Sequence, residues 1–326
     1  MKTIILALAL ALGANFFVPA EVEAADLIKI RIGVDSSSFS YQYRVAKGAG
    51  LFEKYGFDAE LFTFSYGIDT LNAAILGETD SAQAADFAVA SRLSVGNNLR
   101  ILTHILTYNI DGTQLWIRDP SVKTAADLKG KRLGVQKGTV NEYVWGRFFL
   151  KQNINPDEVE QIYLGSNAEL LAAFQSNELD ALWVSQEYVS VAAAVENARK
   201  LGNYELAGFN PRAFGLLDIR FIEANKTKIP DFLRALEEAT VFLKDKPDEA
   251  AKIIADDIKI PVDAAREGIK TYTYEIRFLQ EDLQDVIDVA DWSIKNGLIK
   301  NAYDVRNTLY LDAIREAFPN KVAVKD

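Results

Sequence analysis

The chain has 326 residues, 49% hydrophobic and 25% charged, with 36 basic against 46 acidic side chains and a formal charge of −10. That is the make-up of a globular protein long enough for about two cores, and its acidity argues against nucleic acid or an anionic membrane, which need clustered lysine and arginine. With no cysteine and the single histidine His104, disulfides, thiolate nucleophiles, iron–sulfur clusters, cysteine zinc sites and paired-histidine metal sites are excluded, and no cofactor is expected.

Residues 1–24 read as a secretory signal peptide. Lys2 is the charged start, Ile4 to Leu12 is an unbroken apolar run, Pro19 follows, and Val22-Glu23-Ala24 suits cleavage before Ala25. The run is shorter than the ~20 apolar residues of a membrane span. No cysteine follows the cleavage point, so no lipid anchor is expected. Removing the signal leaves 35 basic and 44 acidic groups. The expected product is an acidic, periplasmic monomer.

Strands and helices then alternate. Ile28 to Val34 alternates apolar with polar, the period of a half-buried strand, and a serine-rich turn over 35–40 leads into a helix over Tyr41 to Tyr55 ending at Gly56. A strand over Phe57 to Phe64, a helix over Gly67 to Leu76 and a strand over Leu99 to Leu106 follow. The style repeats over 113–207, with strands at 114–118, 132–136, 160–164 and 180–184 and helices at 139–152, 166–176 and 187–200. After Pro211 one more strand, Phe214 to Arg220, gives way to helices at 230–244, 247–258, 261–272 and 282–296 with apolar residues three and four apart.

Parallel strands joined by crossing helices predict a sheet covered on both faces. No internal repeat stands out. The softest places are 108–112 and 208–211, each holding glycine or proline. The expectation is therefore one lobe over 25–108, a second over 113–207, a return to the first over 212–326, and a hinge at the two crossings.

In such sheets, ligands sit beyond the carboxyl ends of the strands. Five stretches fall there. Ser36-Ser37-Ser38-Phe39-Ser40 offers hydroxyls and a ring, where capping is the structural alternative. Ser65-Tyr66-Gly67 opens a helix with a glycine that lets backbone approach a ligand. Asp86 either caps the next helix or accepts bonds from a ligand amine or hydroxyl. Lys137-Gly138-Thr139 precedes a helix with capping-box spacing to Glu142, a place suited to an anion. Trp183 to Tyr188, including Glu187, supplies aromatic walls with a polar tip, with Trp183 as a core residue the alternative.

Other signals fail. Gly48-Ala49-Gly50 has Glu53 where a third glycine would stand, and it lies inside a helix. No Walker A or GxSxG motif is present. Asp282, Asp285, Asp288 and Asp291 recur every third residue and read as a solvated helix face, as does Asp256-Asp257. His104 lies in an apolar strand and reads as a satisfied core or pocket-edge residue.

Three segments carry a resemblance. KGAGLFEKYGFDAELFTF (47–64), KTAADLKGKRLGVQKGT (123–139) and AELLAAFQSNELDALWVSQEY (168–188) resemble, in this order, periplasmic solute-binding proteins of the nitrate/sulfonate/taurine family. The resemblance implies a two-lobed α/β Venus flytrap of the type II periplasmic-binding-protein kind that delivers a small solute to the permease and ATPase of an ABC importer. It places Ser37, Phe39, Ser40, Tyr66, Gly67, Asp86, Gly138 and Thr139 at the cleft, and Glu187 and Tyr188 align with its aromatic segment. The chain departs from that family at Ser185-Gln186-Glu187-Tyr188, which lacks both the Trp and the Pro of the family's usual Trp-Glu-Pro-Tyr or Trp-Asp-Pro-Tyr. Receptors for the pyrimidine precursor of thiamine and for other aromatic nitrogen compounds belong to the same family. Lys137 and the helix at Thr139 favour an anion, whereas Asp86 and Glu187 favour an amine, and a zwitterion such as taurine satisfies both. An enzyme on the same fold is the rival class, for which His104 alone offers general acid–base chemistry; a ligand-sensing receptor domain is a third.

Overall fold

The computed structural model describes residues 27–96, 98–136, 139–185 and 188–324; the expected signal peptide lies outside them. Twelve strands run in chain order: β1 Ile28–Asp35, β2 Phe57–Phe64, β3 Ser81–Ala85, β4 Leu99–Tyr108, β5 Thr113–Ile117, β6 Arg132–Gln136, β7 Glu160–Leu164, β8 Ala181–Ser185, β9 Arg199–Asn203, β10 Arg212–Asp218, β11 Tyr272–Leu279 and β12 Val322–Ala323. The α-helices are α1 Tyr41–Gly48, α2 Leu51–Lys54, α3 Gly67–Leu76, α4 Asp86–Leu93, α5 Val140–Gln152, α6 Asn167–Gln175, α7 Val189–Ala193, α8 Ile219–Ala224, α9 Ile229–Asp245, α10 Pro247–Ile258, α11 Val262–Ile269, α12 Gln280–Lys295 and α13 Asp312–Ala317.

Two mixed sheets result. One has the order β12-β11-β4-β10-β3-β1-β2, the other β7-β6-β8-β5-β9. The chain builds β1 to β4 of the first sheet, leaves for β5 to β9, and returns at β10. Each sheet carries helices on both faces, as crossing connections between parallel strands require. In the smaller lobe, Leu115, Val135 and Trp183 face α5, while Trp116, Leu182 and Val184 form a separate cluster with Leu171 and Phe174 of α6. The first of these faces is continuous with the core of the larger lobe.

The absence of a repeat does not survive in three dimensions. Arg31, in β1, donates through its backbone amide and Nε to Asp80 Oδ2 and through Nη2 to Oδ1, at 2.9, 3.1 and 2.7 Å. Arg132, at the start of β6, makes the same three bonds to Asp180 at 2.8, 3.1 and 2.8 Å. Asp80 and Asp180 in turn donate their amides to the carbonyls of Arg31 and Arg132. Both clasps tie the first strand of a β-α-β-α-β unit to its third. The two lobes thus share one unit whose likeness lies in a few structural residues.

Four strands escaped the sequence reading: β3, β9, β11 and the two-residue β12. The helix expected over 187–200 shortens to α7, and β9 takes its last residues. The helix expected over 261–272 ends at Ile269, and Tyr272–Leu279 then alternates as a strand. β3 is built of small residues, Ser-Ala-Gln-Ala-Ala, and buried along most of its length. The helix expected over 41–55 breaks at Gly50, whose φ of 68° is left-handed.

Candidate functional site at the facing sheet rims

The registers bring particular residues to one rim of each sheet. β1 and β2 end together at Asp35 and Phe64, and Ala85 stands opposite Ala213. Arg212 pairs with Thr107 and Tyr272 with Tyr108. In the smaller sheet Gln136 pairs with Leu164, Thr113 with Ser185 and Gln114 with Asn203. The chain passes between these rims at both crossings, so the carboxyl ends of the parallel strands of the two lobes face one another.

The serine turn is mostly committed to structure. Ser37 Oγ donates to Asp35 Oδ1 at 2.8 Å and accepts from the Phe39 amide at 3.2 Å. Ser40 is buried; its hydroxyl donates to the Asp35 carbonyl and accepts from Arg44 Nε. Phe39 packs edge-on against Tyr108 and Tyr272, with ring centroids 6.2 and 5.8 Å apart. Of the three expected residues here, Ser37 alone is exposed.

Tyr66 stands 71% exposed on the rim. Gly67 has a different task from the one its position suggested. A Cβ there would lie 3.1 Å from Ala84 Cα and 3.1 Å from the Gln83 carbonyl. Glycine lets α3 seat closely on β3, which accounts for it without a ligand.

Asp86 is fully enclosed. Its Oδ2 accepts from the Arg212 amide at 2.9 Å and its Oδ1 from the Phe87 amide at 2.6 Å. Burial, only partly offset by these bonds and by Arg212, pushes its carboxyl up to about 6. It is joined to the second crossing and offers nothing to an open cleft.

Thr139 Oγ1 accepts from the Asn141 amide at 3.2 Å and donates to the Gln136 carbonyl at 2.8 Å. Asn141 Oδ1, in turn, accepts from the Gln136 amide at 3.0 Å. Thr139 and Asn141 therefore fasten the start of α5, in place of the capping box expected with Glu142. Gly138 and Glu187, with Lys137 and Gln186, lie outside the described residues.

Trp183 is a core residue, 3% exposed, packed on Trp145, Phe148 and Tyr204. Its indole N–H has no hydrogen-bond partner among the described residues. Tyr188 is half-buried against the α6 cluster. His104 is sealed, with Nδ1 3.0 Å from the Glu275 carbonyl and Nε2 2.9 Å from Thr107 Oγ1; burial lowers its pKa to about 3.

The rim also holds residues that sequence reasoning passed over. Tyr108 and Tyr272 pair edge-on at 4.9 Å, and Phe87 reaches Tyr143 of α5 at 6.4 Å. Phe209, in the second crossing, packs on Tyr143 at 4.8 Å. The alternation Tyr272-Thr273-Tyr274 was the available signal for the first group. The aspartate row of α12 corrects a further expectation. Asp282 and Asp285 are buried, not solvated. Asp282 binds Arg277 at 2.7 Å and Arg212 at 3.1 Å, and Asp285 lies 3.3 Å from Arg212. Asp256 and Asp257 are exposed as expected, and Asp257 pairs with buried Arg44.

Known proteins share this fold. A Bacillus subtilis (strain 168) protein named for binding aliphatic sulfonates is 23% identical over 316 residues, covering 94% of this chain and 92% of its own. The structure of the periplasmic aliphatic sulphonate binding protein SsuA from Escherichia coli superposes with a TM-score of 0.73 at 22% identity, over 86% of this chain and 92% of that one. A cysteine-to-serine mutant of the desulfurization enzyme DszB, in complex with biphenyl-2-sulfinic acid, superposes with a TM-score of 0.64 at 12% identity, over 90% of this chain and 99% of that one. These structural likenesses show the two-lobed periplasmic-binding-protein fold. The model of the family described as NMT1/THI5 like matches residues 40–250, and the chain belongs to that family.

Proposed function

We propose that this chain is the extracytoplasmic solute-binding component of an ABC importer. It holds a small organic anion or zwitterion, of the aliphatic sulfonate, taurine or nitrate-like kind, between its lobes and passes it unchanged to a membrane permease and its ATPase. Residues 1–24 direct export to the periplasm. The observation that carries this reading is the facing of the two carboxyl rims across a double crossing, with α3 and α5 both beginning at the gap. Helix starts present amide hydrogens and a partial positive charge, which suit an anion from both sides. The crossings at 108–112 and 208–211 act as the hinge, so that a solute bonded to both lobes favours the shut form. Names of relatives support the sulfonate class.

An enzyme on this fold is the less supported reading. The chain has no cysteine, and His104 is enclosed and neutral. A second binding reading, a receptor for a pyrimidine precursor of thiamine or another aromatic nitrogen compound, draws on the rim rings Tyr66, Tyr108 and Tyr272, which suit a flat heterocycle. Asp86, enclosed against the Arg212 and Phe87 amides, lends it no support.

The test is a thermal-shift screen of the purified protein with alkanesulfonates, taurine, nitrate, carboxylates and pyrimidines. A bound solute raises the midpoint by mass action, by about 2.7 kcal/mol of stability at a hundredfold excess over Kd. A dose-dependent rise confined to sulfonates or nitrate-like anions supports the first reading; one confined to pyrimidines supports the second.

A further inference from the structure

The aspartates of α12 meet arginines from three separate parts of the chain. Asp282 binds Arg277 at the end of β11, Asp285 meets Arg212 at the second crossing, and Asp288 Oδ2 accepts from Arg147 Nη1 of α5 at 3.1 Å. The first two arginines belong to the larger lobe and the third to the smaller. The helix therefore runs past the rim of its own lobe. Asp285 lies beside Asp86, at the rim end of α4, and the residues that follow it lie along α5.

The contact on α5 is built for closeness. Gly146 stands in the middle of a thirteen-residue helix, where glycine costs about 1 kcal/mol against alanine. A Cβ at Gly146 would lie 2.5 Å from Trp292 Nε1 and 2.8 Å from Cε2. The missing side chain is the notch that receives the Trp292 ring. Tyr143, one turn before, packs edge-on against the same ring at 5.2 Å. Arg147 also donates to the Gly208 carbonyl of the second crossing at 3.4 Å.

We propose that the second half of α12 is a strut between the lobes, and that the seating of Trp292 in the Gly146 notch, with the Asp288–Arg147 pair, sets the angle at which the lobes rest. In the described arrangement Phe87 of one lobe touches Tyr143 of the other, so the strut favours the lobes together. Solute affinity then depends on residues distant from the serine and Thr139 turns, because a protein that rests near its shut form loses less of its binding energy in closing. The inference rests on the two-lobed binding reading for its effect on affinity, and on geometry alone for its effect on shape.

The chain lacks cysteine, so a Glu60→Cys/Glu160→Cys pair, exposed on opposite lobes, takes two spin labels without background. Interlobe distances are measured by pulsed electron resonance on the solute-free protein. Trp292→Ala and Asp288→Asn are expected to lengthen and broaden the distribution while the protein stays folded. The Kd for whichever solute the screen returns rises about three- to tenfold. Gly146→Val, which fills the notch, is expected to shift the distances in the same direction; should it fail to fold, the other two variants, which only remove groups, decide. Distributions identical to the parent in both Trp292→Ala and Asp288→Asn overturn the strut. The distance measurement uses no solute, so a barren screen would count against the binding reading and leave the strut to be judged by distances alone.

Discussion

Arg212 is bound twice over to residues that flank the second crossing: its backbone amide donates to Asp86 at 2.9 Å, and its guanidinium lies between Asp282 and Asp285. The first residue of β10 is thereby fixed to the start of α4 and to α12 as the chain re-enters its lobe. Asp86→Ala leaves the Arg212 and Phe87 amides buried without acceptors. Chemical denaturation should show a loss of about 1–3 kcal/mol for each orphaned group. Asp86→Asn, which keeps an acceptor oxygen, should lose less. Equal and small losses in both variants would contradict this anchoring role.

The same cluster predicts a pH dependence. Burial lifts Asp86 and Asp282 from 3.8 to about 6, and Asp285 is raised by burial and by Asp86. Between about pH 4 and 6 the folded protein therefore holds protons that the unfolded chain has released. Stability from Asp86 and Asp282 is fully present in acid and falls as pH rises through 6, and that from Asp285 falls in the same direction. Asp285→Asn removes one charge and keeps the shape. Its stability relative to the parent should improve as pH rises above about 4 in urea titrations, and a pH-independent difference would contradict this linkage.

His104 works in the opposite sense. Its folded pKa of about 3 lies below the ordinary 6.5, so its contribution to stability is present at neutral pH and lost as pH falls from 6.5 toward 3. As the sole histidine, it gives an unambiguous imidazole signal in nuclear magnetic resonance. That signal should remain in its neutral form down to pH 4 while the fold persists.

Tyr66 separates binding from folding. Its ring is largely solvated on the rim, so Tyr66→Ala should leave the unfolding midpoint within about 0.5 kcal/mol of the parent and weaken solute binding severalfold in titration calorimetry. Unchanged affinity would remove Tyr66 from the site. Thr139→Ala tests the opposite rim, where loss of the cap on α5 should cost about 1 kcal/mol.

The fold was legible where side chains alternate or recur plainly. Arg132–Gln136, Glu160–Leu164 and Pro247–Ile258 fall where periodicity and proline placed them. β3 was missed because its alanines carry no alternation, and β9 because its Arg-Lys-Leu-Gly-Asn sequence is polar and half exposed. The turns after the strands were readable as rim positions. What individual side chains do there was not. Ser40 turns inward to the Asp35 and Ser37 carbonyls of its own turn, Asp86 turns inward to the Arg212 amide supplied by the crossing, and Gly67 answers to a strand that had gone unseen. The three-residue spacing of Asp282, Asp285, Asp288 and Asp291 marked one helix face correctly, but only the returning Arg212 and Arg277 made its first two aspartates interior.

The most direct test is calorimetric titration of the protein with a series of alkanesulfonates and taurine, followed by mass spectrometry of the recovered ligand. The account predicts saturable binding of one molecule per chain and recovery of that molecule intact. Failure of every anion and zwitterion to bind, or appearance of a desulfonated product, would contradict it.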